Sequence, residues 1–142
     1  MNTFFSKRIS GFTIIELMIV LVIVAILLGL AYPSYIQYAR KAKRGEAQQL
    51  LMNWSVNMEI WRSNNPSYAN GGAPGAPAPS DDNYNFAASG LSATAYTLSA
   101  TAKVGNDQVN DVAKDGTGCS PLNLNSNGQK YSLGDTTKTI CW

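Results

Sequence analysis

Glu16 is the residue whose type and setting most demand a chemical explanation. It stands inside Phe12–Ala31, a run in which every other side chain is uncharged. A carboxylate in such a span costs up to several kcal/mol unless it is neutralised or paired, so an ionisable group there has a specific task by default. No cation lies near it in the chain. A cut after Gly11 would create one, because Phe12 would then carry a free amine, on the same helix or on a neighbouring one.

Other candidates are few. The chain has no histidine, so neither a Ser-His-Asp nor a Cys-His arrangement is possible. It shows no Gly-rich phosphate loop and no metal-ligand spacing. No cofactor or metal is expected, and the chain reads as a non-enzyme. Asp107, Asp111 and Asp115 recur every fourth residue. They lack the short oxygen-rich spacing of a calcium loop, so a solvated turn is preferred to a cation site. Cys119 and Cys141 are the only cysteines. In a short exported domain such a pair reads as a disulfide, worth about 3 kcal/mol in the chain-entropy model and pointing to an oxidising compartment. Two free buried thiols are the alternative.

The elements that position these residues follow from pattern. The apolar run is long enough to cross a ~30 Å hydrocarbon layer as a helix. Pro33 then loosens or kinks it. Helical period resumes with Ala47, Leu50, Leu51, Trp54, Met58 and Trp61 on one stripe, and Asn65-Pro66 ends it. The whole helix measures on the order of 80 Å at 1.5 Å per residue, more than the remaining chain is able to enclose. Gly71–Pro79 reads as a flexible-to-extended connector without core residues. Period two follows: Tyr96–Lys103, then Leu122–Asn125, a two-residue hairpin at Asn127-Gly128, Tyr131–Leu133, and a last short strand from Thr139 to Trp142. The expected fold is α+β, a long N-terminal helix against an antiparallel sheet of about four strands. The segments are 1–11, 12–32, 33–64, 65–83 and 84–142.

Three ordinary readings of the apolar run remain: a plain anchor, a signal peptide cut after Gly29-Leu30-Ala31 to leave Tyr32 first, and a buried helix of a soluble core. None of them needs Glu16. A short basic leader, Gly11 before Phe12-Thr-Ile-Ile-Glu16, and an unbroken apolar helix resemble the class III signal of type IV prepilins. The resemblance implies a prepilin peptidase cut between Gly11 and Phe12, N-methylation of Phe12, and pairing of Glu16 with the Phe12 amine of a neighbouring subunit to set assembly register. It also implies that the helix loosens near Gly29 and Pro33 in the fibre. Tyr96-Thr-Leu-Ser-Ala-Thr, Cys119-Ser-Pro-Leu-Asn-Leu-Asn and the terminal Cys141-Trp142 are similar to the PilE-like minor pilins, a group that includes ComP-like DNA-uptake pilins. Cys119 and Cys141 would bound that group's C-terminal region. The implied partners are other pilin subunits, the prepilin peptidase and the inner-membrane assembly machinery. The implied role is structural: pilus assembly, with adhesion or twitching motility. The precursor would be single-pass in the bacterial inner membrane with its C-terminus periplasmic, then part of the extracellular fibre.

Charge leaves two rivals standing. The formal net charge of +2 disappears if Lys7 and Arg8 leave with the leader, and from Asn65 onward four lysines face six aspartates. That gives little support to DNA capture, yet Lys130, Tyr131, Lys138 and Trp142 are able to cluster around the disulfide and meet phosphates. A type II secretion pseudopilin shares the leader and helix; the Cys-Trp terminus argues against it. Arg40, Lys41, Lys43 and Arg44 read as a solvated or headgroup-contacting collar. By charge counting they favour the cytoplasmic side, against the orientation that the disulfide and the peptidase require.

Overall fold

The computed structural model describes residues 11–133, 137 and 139–142, so Lys7, Arg8 and Lys138 lie outside the described residues. The chain divides into two compact units between Ile36 and Gln37. One helix, α1 (Ile14–Asn64), contributes to both. In the first unit every side chain from Gly11 to Tyr35 is exposed. Thr13 caps the helix: its Oγ1 accepts the Glu16 N–H at 3.3 Å, and its carbonyl accepts the Leu17 N–H at 3.2 Å.

The second unit is the head. Here α1 turns Ala47, Leu51, Trp54 and Met58 onto one buried stripe at three- and four-residue steps. A four-stranded antiparallel sheet covers it, in the order β3 (Tyr84–Ser89), β4 (Thr97–Ala102), β5 (Leu122–Asn125), β6 (Lys130–Ser132). Register puts Phe86 beside Ala100, Leu98 beside Leu124, and Leu122 beside Ser132. The alternate residues Tyr84, Leu98, Ala100, Ala102, Leu122 and Leu124 are buried. Trp54 meets Phe86 edge-on, with ring centroids 6.5 Å apart.

Four strands are present, but they are not the four read from the sequence. Thr139–Trp142 is a turn, and the missing strand is β3. The hairpin between β5 and β6 has a three-residue loop rather than two. Gly128 N–H bonds Asn125 O at 2.9 Å, Asn125 N–H bonds Gln129 O at 3.1 Å, and Gly128 takes φ 75°. That is a type I turn closed by a left-handed glycine.

The connector is also not empty of core. Ala76 and Tyr68 are buried. Ala69–Asn70 (β1) and Ala73–Pro74 (β2) pair as a small ribbon, with Gly71 and Gly72 both at positive φ in the turn. The tryptophan stripe explains this. Connector backbone lies against both indoles, Trp54 being buried and Trp61 partly so. Trp54 Nε1 donates to Ala76 O at 3.0 Å, and Trp61 Nε1 donates to Ser67 O at 3.1 Å. Gly75 lies so close to the Trp61 indole that a Cβ there would overlap the ring. Gly75→Ala is therefore expected to cost about 1–3 kcal/mol, the usual penalty of overpacking, read as a lower urea midpoint at unchanged slope.

Candidate functional site

The residues singled out for assembly lie at the start of α1. Phe12 is 81% exposed. Glu16 sits in the first turn, two residues past Ile14. Thr13 and Glu16 have the spacing of a capping box, and a carboxylate in a first turn is favoured by the helix dipole. This gives Glu16 a local reason that the sequence argument overlooked, although the signal, Thr-x-x-Glu ahead of an apolar run, was there to be read. Gly29 and Pro33 are one helical turn apart inside α1, and Pro33 has no N–H to give the Gly29 carbonyl.

In the head, the four cations after the apolar run do not form one solvated collar. Arg44 is buried, and its Nη1 donates to both oxygens of Asp111 at 2.8 and 3.0 Å and to Cys119 Sγ at 3.0 Å. Arg40 donates to Asp107 through Nε at 2.8 Å and Nη2 at 2.6 Å. The guanidinium hydrogen bond holds the Asp107 carboxyl below its usual range, and Asp107 raises Arg40 in turn. So Asp107 and Asp111 are receivers for the helix arginines, and Asp111 is no part of a solvated turn. Among the described residues no acidic, cysteine or histidine cluster is suited to a metal.

The aspartates are held in place by a short 3-10 helix (Asp107–Asn110), capped by the Asn106 side chain. Its Gln108 is buried and donates to Arg40 O at 3.0 Å and to the Tyr84 hydroxyl at 2.8 Å. Burial pushes the Tyr84 phenol up to about 12, with the Gln108 hydrogen bond opposing. Cys119 and Cys141 are joined, both buried. Neither cysteine is a free thiol. The bond ties the loop before β5 to the C-terminal turn.

Beside it, Lys130 Nζ lies 5.4 Å over the Trp142 ring and 3.5 Å from Met52 Sδ. Trp142 Nε1 donates to Tyr131 O at 3.0 Å. Lys130, Tyr131 and Trp142 are thus brought together, but the Tyr131 side chain is buried. Sequence reasoning missed Glu59, whose carboxylate accepts from the hydroxyls of Tyr68 at 2.8 Å and Tyr96 at 3.0 Å. No local pattern links residues so far apart. Burial raises both phenols, and the Glu59 hydrogen bond adds to it; Tyr96 reaches about 12.

A long helix, apolar all round in its first half and amphipathic where a disulfide-closed antiparallel sheet covers it, defines a type IV pilin. Residues 6–32 match the prokaryotic N-terminal methylation motif, and residues 33–123 match the family described as type IV minor pilin ComP, DNA uptake sequence receptor. The second match takes in more than half of the chain, and the chain belongs to that minor pilin family. It is similar to the type IV major pilin protein PilE1 of Neisseria gonorrhoeae, 40% identical over 65 residues (41% of this chain, 30% of that protein). It is also similar to the type IV major pilin protein PilA of Myxococcus xanthus, 46% identical over 47 residues (33% and 21%). Prepilin peptidase-dependent protein D of Escherichia coli is 34% identical over 76 residues, 52% of each chain. The chain thus spans between about a fifth and a half of the length of these relatives. No solved structure gives a significant match.

The Arg44–Asp111 pair makes a clear prediction. Arg44→Met alone strands a buried carboxylate and is expected to destabilise the head by about 3–5 kcal/mol, whereas Arg44→Met with Asp111→Leu recovers most of that loss. Denaturant unfolding of both variants checks it.

Proposed function

We propose that this pilin works as a minor structural subunit of a type IV pilus. Its precursor is held in the inner membrane by residues 12–32 with the head in the periplasm. A prepilin peptidase cuts it between Gly11 and Phe12 and methylates Phe12. The assembly machinery then moves it into a fibre whose core is built from the Phe12–Ala31 segments of many subunits.

The observation that carries this reading is the surface of the first unit: within the described residues every side chain from Phe12 to Tyr35 is exposed, and only one of them is charged. Lipid tails are as apolar as leucine, so moving aliphatic side chains from bilayer to fibre core is about neutral in free energy. Selectivity must come from what lipid does not offer. An amine opposite Glu16 is such a partner, and a charge pair out of water is directional and costly to misplace.

Mass spectrometry of the mature chain should find an N-methylated Phe12 at its start; a chain beginning at Tyr32 would sink this account. Because Gln also serves in a capping box, Glu16→Gln removes the charge and leaves the cap. It is expected to be processed normally and to enter fibres at least about tenfold less, the effect of roughly 1.4 kcal/mol. Wild-type incorporation would remove the register role.

A second reading, DNA capture, is favoured by the description of the matched family as a DNA uptake sequence receptor and by Lys130 beside Trp142. A cation and an aromatic face are the parts needed for phosphate contact and base stacking. If it holds, the full-length chain in detergent shifts duplex DNA in a salt-sensitive way, and Lys130→Ala lowers both the affinity and the salt slope, the latter by about one. No shift at low salt leaves the fibre role alone.

A further inference from the structure

Three tyrosines follow the apolar run directly: Tyr32, Tyr35 and Tyr38, exposed by 68%, 70% and 74%. They recur every third residue of α1, and among the described residues none of their hydroxyls has a hydrogen-bond partner in the chain. The four tyrosines of the sheet and connector behave differently. Tyr68, Tyr84, Tyr96 and Tyr131 are all buried. So the exposed phenols are not a consequence of tyrosine-rich composition; they are confined to one stretch of seven residues.

From these positions we infer that Tyr32, Tyr35 and Tyr38 form a belt that docks into the phospholipid headgroup layer on the periplasmic face of the membrane and fixes the depth at which the precursor waits. The inference rests on the membrane-held precursor proposed above.

Length carries the argument. Ile14–Ala31 is 18 residues of α1, about 27 Å of helix, and with Phe12 and Thr13 ahead of it the run matches a hydrocarbon core about 30 Å thick. Tyr32 therefore begins where hydrocarbon ends. Tyr32 to Tyr38 rises about 9 Å along the helix axis, and the headgroup layer on each side of the core is about 5–8 Å thick. Tilt reduces the first figure toward the second. Tyrosine suits this layer because its ring is apolar and its hydroxyl wants water or phosphate.

Charge agrees with the placement. Arg40 and Arg44 are turned inward onto Asp107 and Asp111. Lys41 is exposed and forms no salt bridge among the described residues. Its position just past Tyr38 suits an anionic headgroup reached by a long flexible stem. The belt thus replaces the four-cation collar expected from the sequence with three phenols and Lys41, beside a half-buried Lys43.

The test uses the full-length chain in lipid nanodiscs of phosphatidylethanolamine and phosphatidylglycerol, with 3-fluorotyrosine at all tyrosines and resonances assigned by single Tyr→Phe changes. A gadolinium chelate on a lipid headgroup should broaden Tyr32, Tyr35 and Tyr38 severalfold more than Tyr68, Tyr84, Tyr96 and Tyr131. A nitroxide at mid-acyl chain should broaden a reporter in Ile23→Tyr far more than any of the three. Equal headgroup broadening of all seven native tyrosines, or strongest broadening of the three by the acyl nitroxide, overturns the belt while leaving insertion intact. An Ile23→Tyr reporter untouched by the acyl nitroxide overturns the membrane-held precursor and the belt with it.

Discussion

The first half of α1 is apolar on every side, and among the described residues nothing is packed against it. Helical backbone satisfies its own hydrogen bonds, so such a segment is comfortable in lipid or among copies of itself, and in little else. Because aliphatic side chains gain little by choosing one of these over the other, the polar exceptions decide. Glu16 is one exception. It is placed in the first turn, where Thr13 and the helix dipole already favour it. That setting lowers the cost of holding an acid in an otherwise apolar segment. A carboxylate at the middle of Phe12–Ala31, about one and a half turns further along, would lack the dipole, and the middle of a span is where charge in hydrocarbon is most expensive.

In the head, the second half of α1 is held by contacts across long stretches of sequence. Arg44 and Asp111 are 67 residues apart, and the same guanidinium reaches Cys119. Helix, aspartate loop and disulfide therefore meet at one buried cation. Such a pair adds little net stability over an apolar substitute, but breaking it on one side is costly. Its value is that it leaves the loop between β4 and β5 one way to sit on the helix. The disulfide, with a sequence separation of 22, then closes the C-terminal region against that fixed point.

How much of this was legible in the sequence depended on the range of the signal. The apolar run, the Trp54 stripe and the alternation of Leu98, Leu122 and Leu124 are local patterns, and each reappears as helix or strand. β3 alternates too, with Tyr84 and Phe86 inward, but Ala87 and Ala88 in sequence blur its second half. The terminal segment misled for the opposite reason. Ile140 and Trp142 look like an inward face, yet the disulfide draws Cys141 into the core and leaves Ile140 half exposed. The connector misled because Gly and Ala were taken for flexibility, when their lack of bulk is what lets backbone lie on the Trp61 and Trp54 rings. Of the candidate site, the Glu16 spacing and the cysteine pair were readable; the Arg44–Asp111 and Glu59–tyrosine contacts had no local signature.

Those long-range contacts change what the charge count means. Nine lysines and arginines lie beyond Gly11, which on composition alone offers a pilin many cations to present to phosphate or to a neighbour. Folding removes Arg44 into the core and commits Arg40 to Asp107. Arg62 is spent on the carbonyls of Ala93 and Asn65, and Lys103 on that of Asp81. Among the described residues the cations left to the surface are therefore lysines: Lys41, Lys114 and Lys130 are exposed and Lys43 is half-buried. Lysine makes point contacts rather than bidentate ones. Lys130 alone among them is shown over an aromatic face, that of Trp142. It is the buried Arg44 and the paired Arg40 that hold the aspartate loop on the helix beneath this lysine surface.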